Sequence, residues 1–236
     1  MLAERLQVGD HGIEFGLVLH LRGRAGDLFV AVRVAEGLQR AHPAMDMLGV
    51  GCDFSACLDL PDTLYEGPAL VFYPGSSIGN FHPAQARALL SQARALCAEG
   101  GPGSSLLIGV DLVKPAHVLE PAYDDPLGVT AAFNRNLLLN VNRWLGSDFQ
   151  PAQWRHLAGF NATQSRIEMH LQAIQAHTVR WPGGERRFQA GERLHTEHSY
   201  KWTPATFEAL LSESGWRPAQ RWTDAQGWFG LFAAVA

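Results

Sequence analysis

The chain has 236 residues, of which 47% are hydrophobic and 18% charged, and its formal net charge is −4 at pH 7. This length suits one large domain or a core with an inserted lobe, and the mild acidity argues against a nucleic-acid partner, which would need clustered Lys and Arg. No run of about 18 uncharged apolar residues is present, so we expect no membrane span. Three cysteines without a CxxC pair indicate a reduced, cytoplasmic protein, and the ten histidines show no metal-binding pattern.

The N-terminal part of the chain shows little regular patterning. Within 1–26 only the short apolar run at 17–19 weakly indicates a strand, so we treat 1–26 as an atypical N-terminal segment. Asp27 has the character of a helix N-cap, and apolar residues recur after it at helical spacing as far as 42–43. A short strand is predicted at 47–50.

Two continuous apolar runs predict parallel strands that are buried on both faces. The first spans 69–73 and leads into a loop of small residues at 74–80, and the second spans 106–110 and ends at Asp111. A helix with apolar residues on one face between 86 and 97 separates them. This alternation of strand, helix and strand predicts an α/β sheet with right-handed crossovers.

The pattern changes after Asp111. Residues 115–144 are predicted to be helical, whereas 165–202 alternate as extended chain around a hairpin turn at 182–184. We therefore predict an inserted α+β lobe at 115–200 and a core formed by 27–114 and 201–236. The core ends with a helix that begins at Thr203 and with two final strands.

Polar residues at the ends of the predicted strands indicate a ligand cleft, because ligands of open α/β sheets bind at the carboxyl ends of the strands. Asp53 with Phe54, the loop from Gly75 to Asn80, and Asp111 all lie at such ends. Each alone is more often a turn or cap residue, and together they make a binding site an equally good interpretation. The residues by themselves support only an α/β domain with a cleft and a lobe.

Ordered motifs connect this sequence with a known family. The segment FYPGSSIGN at 72–80 resembles the FFPGSTIGN signature of the histidine-specific Nα-methyltransferases of ergothioneine biosynthesis. The resemblance continues in order through 111–114, 122–136, 167–169, 196–201 and 222–230, so that it covers 45–236. It implies a Rossmann-like class I methyltransferase sheet, and it implies S-adenosylmethionine as the donor of three methyl groups to the α-amine of L-histidine, giving hercynine.

The resemblance also implies roles for individual residues. The matches to substrate-binding positions are Asn80 and Tyr123 for the α-amino and carboxylate groups, Glu197 and Ser199 for the imidazole, Thr130 and Met169 for the pocket wall, and His198 within the same motif. The matches to donor-binding positions are Asp53 and Phe54 at the adenine end and Gly75 where the two ligands meet. Without the resemblance, a cross-strand ion pair with Lys201 or a neighbouring arginine would be the better interpretation of Glu197.

The sequence departs from the family near its start. The family's first strand, its GSG-type glycine turn and the acidic residue that binds the donor ribose have no match here, since Gly9, Gly12 and Gly16 follow a GxxGxxxG spacing. We therefore expect a sheet without its N-terminal strands, and donor binding weakened by roughly 10³-fold or more, which would impair the enzyme. We expect a monomer whose exposed sheet edge favours aggregation or pairing.

Two alternative functions stay open. One is a non-catalytic remnant that binds an amino acid or nothing, and the other is an Nα-methyltransferase for another aromatic amino acid. A buried carboxylate at Glu197 favours histidine over tryptophan or tyrosine, because a bulky apolar side chain would leave that carboxylate without a hydrogen-bond donor.

Overall fold

The computed structural model describes residues 16–20, 37–44, 48–52, 67–99 and 102–236, with the backbone alone for 16–20, 48–52 and residue 99. The chain divides into two compact units, Met1–Val110 with Thr203–Ala236, and Asp111–Trp202. The lobe predicted at 115–200 lies within the second unit. In the part of the chain that the structure describes, no helix has the length and apolar character needed to cross a membrane.

The strands in chain order are β1 (Gly16–His20), β2 (Leu48–Cys52), β3 (Leu70–Tyr73), β4 (Ser105–Asp111), β5 (Trp154–Asn161), β6 (Arg166–Ala173), β7 (His177–Trp181), β8 (Gly184–Phe188), β9 (Arg193–Tyr200), β10 (Arg217–Thr223) and β11 (Phe229–Val235). The helices described over their whole length are α1 (Pro83–Glu99), α2 (Ala116–Leu119), α3 (Val129–Leu145) and α4 (Pro204–Glu213). Three short 3-10 turns, Ser77–Asn80, Glu120–Ala122 and Pro151–Gln153, connect some of them.

Strand β1 is formed where the sequence gave only a weak indication. It pairs in parallel with β2, from Gly16 opposite Leu48 to His20 opposite Cys52. Hydrogen bonds to a strand more than 25 residues away stabilise this short run, and the local pattern of apolar residues does not report them. The helix predicted to begin at Asp27 is described only at its end, where 37–41 are helical.

A four-stranded sheet in the order β10-β11-β4-β3 forms the centre of the first unit. β3 and β4 are parallel, and β10 and β11 are antiparallel. In the second half of the central strand β4, Ile108 and Val110 are buried on one face and Gly109 on the other, so burial on both faces is correct there, whereas Leu107 is partly exposed. Burial on both faces is wrong for β3, which lies at the edge of this sheet among the described strands and leaves Phe72 59% exposed.

Helices α1 and α4 pack in the same unit, and the first buries the face that its sequence predicts. Ala86, Leu90 and Cys97 are buried along α1, and the indole Nε1 of Trp216, just after α4, donates a hydrogen bond to the Leu90 carbonyl oxygen at 2.8 Å. Thr203 begins α4 with a reciprocal capping box. Strands alternate with helices as expected, so the predicted α/β class is confirmed.

The second unit is built on an antiparallel sheet in the order β5-β6-β9, beside a β7–β8 hairpin. One face of β6 is buried and carries Ile167, Met169, Leu171 and Ala173, each at most 3% exposed. Helix α3 belongs to this unit and contributes Leu138 to one of its apolar clusters. The alternation predicted for 167–171 is therefore present as a half-buried strand.

Candidate functional site

A β-bulge in β9 decides which side chains of the second unit share a face. Met169 lies opposite Glu197, whereas the next residue of β6, His170, lies opposite His195. Thr196 is thus an extra residue, and its hydroxyl donates to the Met169 carbonyl oxygen at 3.0 Å. Because the bulge reverses the alternation along β9, Glu197 lies on the face of Met169 rather than on that of His195.

We call this face of β6 and β9 the inner face, and it also receives Ser199 and Tyr123. Ser199 lies two residues beyond Glu197, opposite the buried Ile167. Tyr123 packs against the cluster that contains Met169, and its hydroxyl donates to Ser199 Oγ at 3.0 Å. The structure therefore brings together four of the predicted substrate residues, which come from three separate segments of the chain.

Lys201 contacts both of these hydroxyl groups, and its side chain is only 1% exposed. Its ammonium group donates to the Tyr123 hydroxyl at 2.7 Å and to Ser199 Oγ at 2.9 Å, and it forms an ion pair with Asp111 Oδ2 at 2.8 Å. The other oxygen of Asp111 binds Lys114 at 2.5 Å. Sequence reasoning considered Lys201 only as a partner of Glu197, and the ion pair that forms is the one with Asp111.

The carboxylate of Glu197 is half-buried and has no hydrogen bond or ion pair among the described residues. Burial raises the pKa of the Glu197 carboxyl, and the positive charge of Lys201 opposes this rise. The inner face therefore offers a carboxylate whose acceptor positions no described residue fills, on the same side of the sheet as two hydroxyl groups. Such a group suits a ligand that brings an N–H donor.

A chain of buried hydrogen bonds holds the backbone of Tyr123. The Asn134 amide nitrogen of α3 lies 2.9 Å from His156 Nδ1, and His156 Nε2 lies 2.8 Å from the Tyr123 carbonyl oxygen. An amide nitrogen only donates and a carbonyl only accepts, so the His156 proton resides on Nε2. Asn134 and His156 are 3% and 6% exposed. Sequence reasoning missed both as positioning residues, although Asn134 lies within a family-like motif.

Thr130 lies in the first turn of α3, where Asp125 caps the helix. The Asp125 carboxylate accepts hydrogen bonds from the backbone N–H groups of Thr130, at 2.7 Å, and Val129, at 3.0 Å. The backbone and hydroxyl hydrogen bonds from Thr130, followed by the one from Val129, lower the pKa of Asp125 to about 2. The place of Thr130 in a pocket wall stays a prediction.

Replacing Asp125 with Asn should lower the Tm of the chain at neutral pH, because the charged cap stabilises the folded state only. The wild-type carboxyl has a folded pKa of about 2, below the ordinary 3.8. Its contribution is therefore present above about pH 4 and is lost as the pH falls towards 2. Thermal unfolding between pH 7 and pH 2 should show the two curves converging. Asp124→Asn removes the same charge from the exposed neighbouring position, and an equal loss of stability there would contradict the capping role.

His198 is on the opposite, outer face of the β-sheet, and the structure does not group it with Glu197 and Ser199. Its ring stacks on that of His195 with 5.5 Å between centroids, and His195 in turn lies 5.1 Å from His170. On its other side His198 meets Tyr200 edge-on at 5.3 Å. The alternation of side chains along β9 explains this placement, and a substrate-binding role for His198 stays an untested prediction.

The remaining predicted residues belong to the first unit. Gly75 and Asn80 lie in the loop after β3, which the fully buried Ile78 anchors, while Asn80 itself is exposed. Ser76 has a left-handed backbone with φ 57°, a conformation that is uncommon for residues other than glycine and clusters at functional loops. Asp53 and Phe54 lie outside the described residues. That Asn80 faces the same cavity as the inner-face residues stays a prediction.

The family model of the histidine-specific, SAM-dependent methyltransferases matches residues 31–236 of this sequence. The chain belongs to this family. The match includes all the described elements except β1, so the inner face and the loop after β3 are both part of the family's sequence pattern.

Relatives of this chain carry names that agree with the family. It is 43% identical to a histidine N-alpha-methyltransferase of Mycolicibacterium smegmatis over 82% of its own length and 60% of the relative's. It is 39% identical to the protein of that name from Mycobacterium tuberculosis, over 89% of this chain and 64% of the relative. Ergothioneine biosynthesis protein 1 of Neurospora crassa is 30% identical over 75% of this chain and 20% of that protein. The chain thus spans about three fifths of the length of the two bacterial relatives.

Proposed function

We propose that this chain acts as an S-adenosylmethionine-dependent L-histidine Nα-methyltransferase of the hercynine-forming type found in ergothioneine biosynthesis. Membership of the family and the names of its relatives support this proposal. The single observation that carries it is the half-buried carboxylate of Glu197, unpaired among the described residues, on one face with the hydroxyl groups of Ser199 and Tyr123.

This arrangement matches the hydrogen-bonding pattern of a neutral imidazole. One ring nitrogen of imidazole carries a hydrogen and donates to the Glu197 carboxylate, and the other nitrogen accepts from the Ser199 hydroxyl. Tyr123 and Asn80 hold the carboxylate and the α-amine of the substrate. A site that is built around buried polar groups rejects phenylalanine, tyrosine and tryptophan, because their side chains would leave Glu197 unpaired.

The reaction makes modest demands on acid–base groups. S-adenosylmethionine supplies an electrophilic sulfonium methyl group, and the neutral α-amine displaces the thioether from it, so that a C–N bond forms as the C–S bond breaks. The protein's part is alignment and desolvation, after which the ammonium product loses its proton to solvent before the next round. Asn80 suits this role, since a neutral amide does not hold the amine in its charged form.

The loop after β3 fits the close approach of a donor. Among the described residues, a Cβ atom added to Gly75 would meet only Ser77 Oγ, at 3.8 Å, so the backbone there has an open side. Ser76 and Ser77 follow Gly75, and such small side chains suit a loop that a polar ligand approaches closely. The weaker donor binding expected from the unmatched glycine turn stays a prediction, and calorimetric titration of the chain with S-adenosylmethionine alone measures it.

Calorimetric titration of the chain with L-histidine, with and without S-adenosylmethionine, tests the proposal. We expect L-histidine to bind at least about 100-fold more tightly than L-phenylalanine, L-tyrosine or L-tryptophan. Mass spectrometry of the reaction mixture should show mono-, di- and trimethylated histidine. Tighter binding of another aromatic amino acid would favour the alternative substrate, and histidine binding without any methylated product would favour a non-catalytic binding module.

A further inference from the structure

Lys201 imposes a direction on the hydrogen bonds around it. An ammonium group has three N–H donors and no acceptor. All three are used, by Asp111 Oδ2, by the Tyr123 hydroxyl and by Ser199 Oγ, at 2.7 to 2.9 Å. Neither hydroxyl can therefore donate to Lys201, and each must use one of its lone pairs to accept from it.

The hydrogens of both hydroxyl groups consequently point elsewhere. In the free chain the Tyr123 hydroxyl donates to Ser199 Oγ, as expected for a phenol, which is a stronger donor than an aliphatic alcohol. Ser199 Oγ then accepts two hydrogen bonds, from Lys201 and from Tyr123, so its lone pairs are filled. Its own O–H can serve only as a donor to a ligand, and Tyr123 can exchange its bond to Ser199 for one to a ligand carboxylate.

We propose that Lys201 is a positioning residue that fixes Tyr123 and Ser199 as hydrogen-bond donors and thereby selects the neutral imidazole form of the substrate. This inference rests on the proposed function. With Ser199 as a donor and Glu197 as an acceptor, the site accepts a ring with one N–H and one bare nitrogen. An imidazolium ion, with two N–H groups, would face the Ser199 hydrogen and the positive charge of Lys201.

A purely structural role explains the buried position of Lys201 less well than a ligand-directing role does. Asp111 already has a second cation, Lys114, on its other carboxylate oxygen, so neutralising Asp111 does not require an additional lysine in the interior. Transferring an ammonium group from water into the protein interior costs free energy, and its hydrogen bonds together must compensate for that cost. Two of the three go to hydroxyl groups on the inner face, which is where a ligand-directing role would place them.

The test compares Lys201→Arg, Lys201→Met and Lys201→Gln with wild type in L-histidine titrations between about pH 5.5 and 8, a range that spans the ordinary imidazole pKa. Arg is donor-only, whereas Gln also accepts and Met does neither. We expect Lys201→Met and Lys201→Gln to lose about 10- to 100-fold in affinity near pH 7.5. Lys201→Arg should lose less and should keep the wild-type pH profile.

The pH profile separates a directing role from a structural one. Wild-type affinity should fall as the pH drops below the imidazole pKa. In Lys201→Met and Lys201→Gln it should instead rise, because Ser199 can accept from imidazolium and Glu197 attracts it, with Asp111 and Lys114 the other charges nearby. Lys114→Met is the matched control, since it removes the other cation from the same carboxylate, and its profile should follow wild type. A Lys201→Met profile that falls as in wild type would overturn the inference.

A structural measurement keeps the inference testable even if the chain fails to bind histidine. That failure would count against the proposed function alone. Neutron diffraction of the deuterated free chain should show three deuterons on Lys201 Nζ, two of them directed at Tyr123 and Ser199, and the Ser199 deuteron directed away from both partners. A neutral Lys201, or a Ser199 deuteron directed at Tyr123, would refute the assigned polarity whatever the chain binds. Circular dichroism confirms that each variant is folded.

Discussion

Glu197→Gln is expected to weaken L-histidine binding about tenfold, and Glu197→Ala about 100-fold. Glu197→Gln is also expected to raise the thermal stability of the free chain. The amide of Gln can still accept from the imidazole N–H, but a hydrogen bond to a neutral oxygen is roughly half as strong as one to a carboxylate. Ala removes the acceptor altogether. Titration calorimetry at neutral pH measures both losses.

The stability gain follows from the pKa of the same group. Burial raises the pKa of the Glu197 carboxyl despite the opposing charge of Lys201, so the ionised form is disfavoured in the folded chain. The resulting penalty is present above the folded pKa and disappears as the pH falls below the ordinary carboxyl value of 4.5. Glu197→Gln should therefore raise the Tm at pH 7, and its advantage should fade towards pH 4.

Glu168 on the neighbouring strand provides a matched control, because its pKa is shifted in the opposite direction, downwards. It lies on the outer face, where its carboxylate accepts from Arg166 at 2.8 Å and from Asn161 at 3.1 Å. The hydrogen bond from Arg166 is the largest influence that lowers the pKa of Glu168. Glu168→Gln should therefore lower the Tm at pH 7 and leave histidine affinity unchanged. Equal effects of the two Gln substitutions on binding would contradict the assignment of the inner face as the substrate site.

The sequence predicted the faces of β6 but could not predict those of β9. Along β6 the buried residues recur at every second position, so the inner face could be identified from 167–171 alone. In β9 the extra residue Thr196 reverses the alternation, and only the pairing with β6 reveals it. The bulge therefore separates Glu197 from His195, which unbroken alternation would place on one face. His198 was assigned to the site of Glu197 through their shared motif, and ordinary alternation places these two neighbours on opposite faces.

The second limit on prediction from the sequence is the choice of ion-pair partners that are distant along the chain. Lys201 lies close to Glu197 in sequence, so the residues alone, without the resemblance, favoured an ion pair between them. The structure pairs Lys201 with Asp111 at the end of β4, a residue that the sequence marked only as a strand-end ligand candidate. No local pattern of hydrophobicity or charge reports which of several carboxylates a buried lysine will meet. The family resemblance located both residues in motifs without indicating that they touch.

Gly109→Ala is expected to lower stability more than any other single substitution considered for the first unit. Gly109 lies in the central strand β4, and a Cβ atom there would overlap the carbonyl oxygen of Pro74 and lie 2.8 Å from Phe229 Cζ. Overpacking usually costs about 1–3 kcal/mol, and a clash with backbone cannot be relieved by a side-chain rotation. We therefore expect a loss of about 3 kcal/mol or more, which corresponds to a Tm lower by about 6–12 °C in a chain of this size.

Gly75→Ala separates this packing requirement from ligand binding, because Gly75 follows Pro74 directly and has room for a methyl group, with Ser77 Oγ 3.8 Å away. It should leave the Tm within about 2 °C of wild type. If the donor approaches this loop as proposed, the added methyl group should reduce S-adenosylmethionine binding measured by calorimetry. A large loss of stability in Gly75→Ala, or none in Gly109→Ala, would contradict this packing, in which a Cβ atom at Gly109 meets the backbone of Pro74 and one at Gly75 has room.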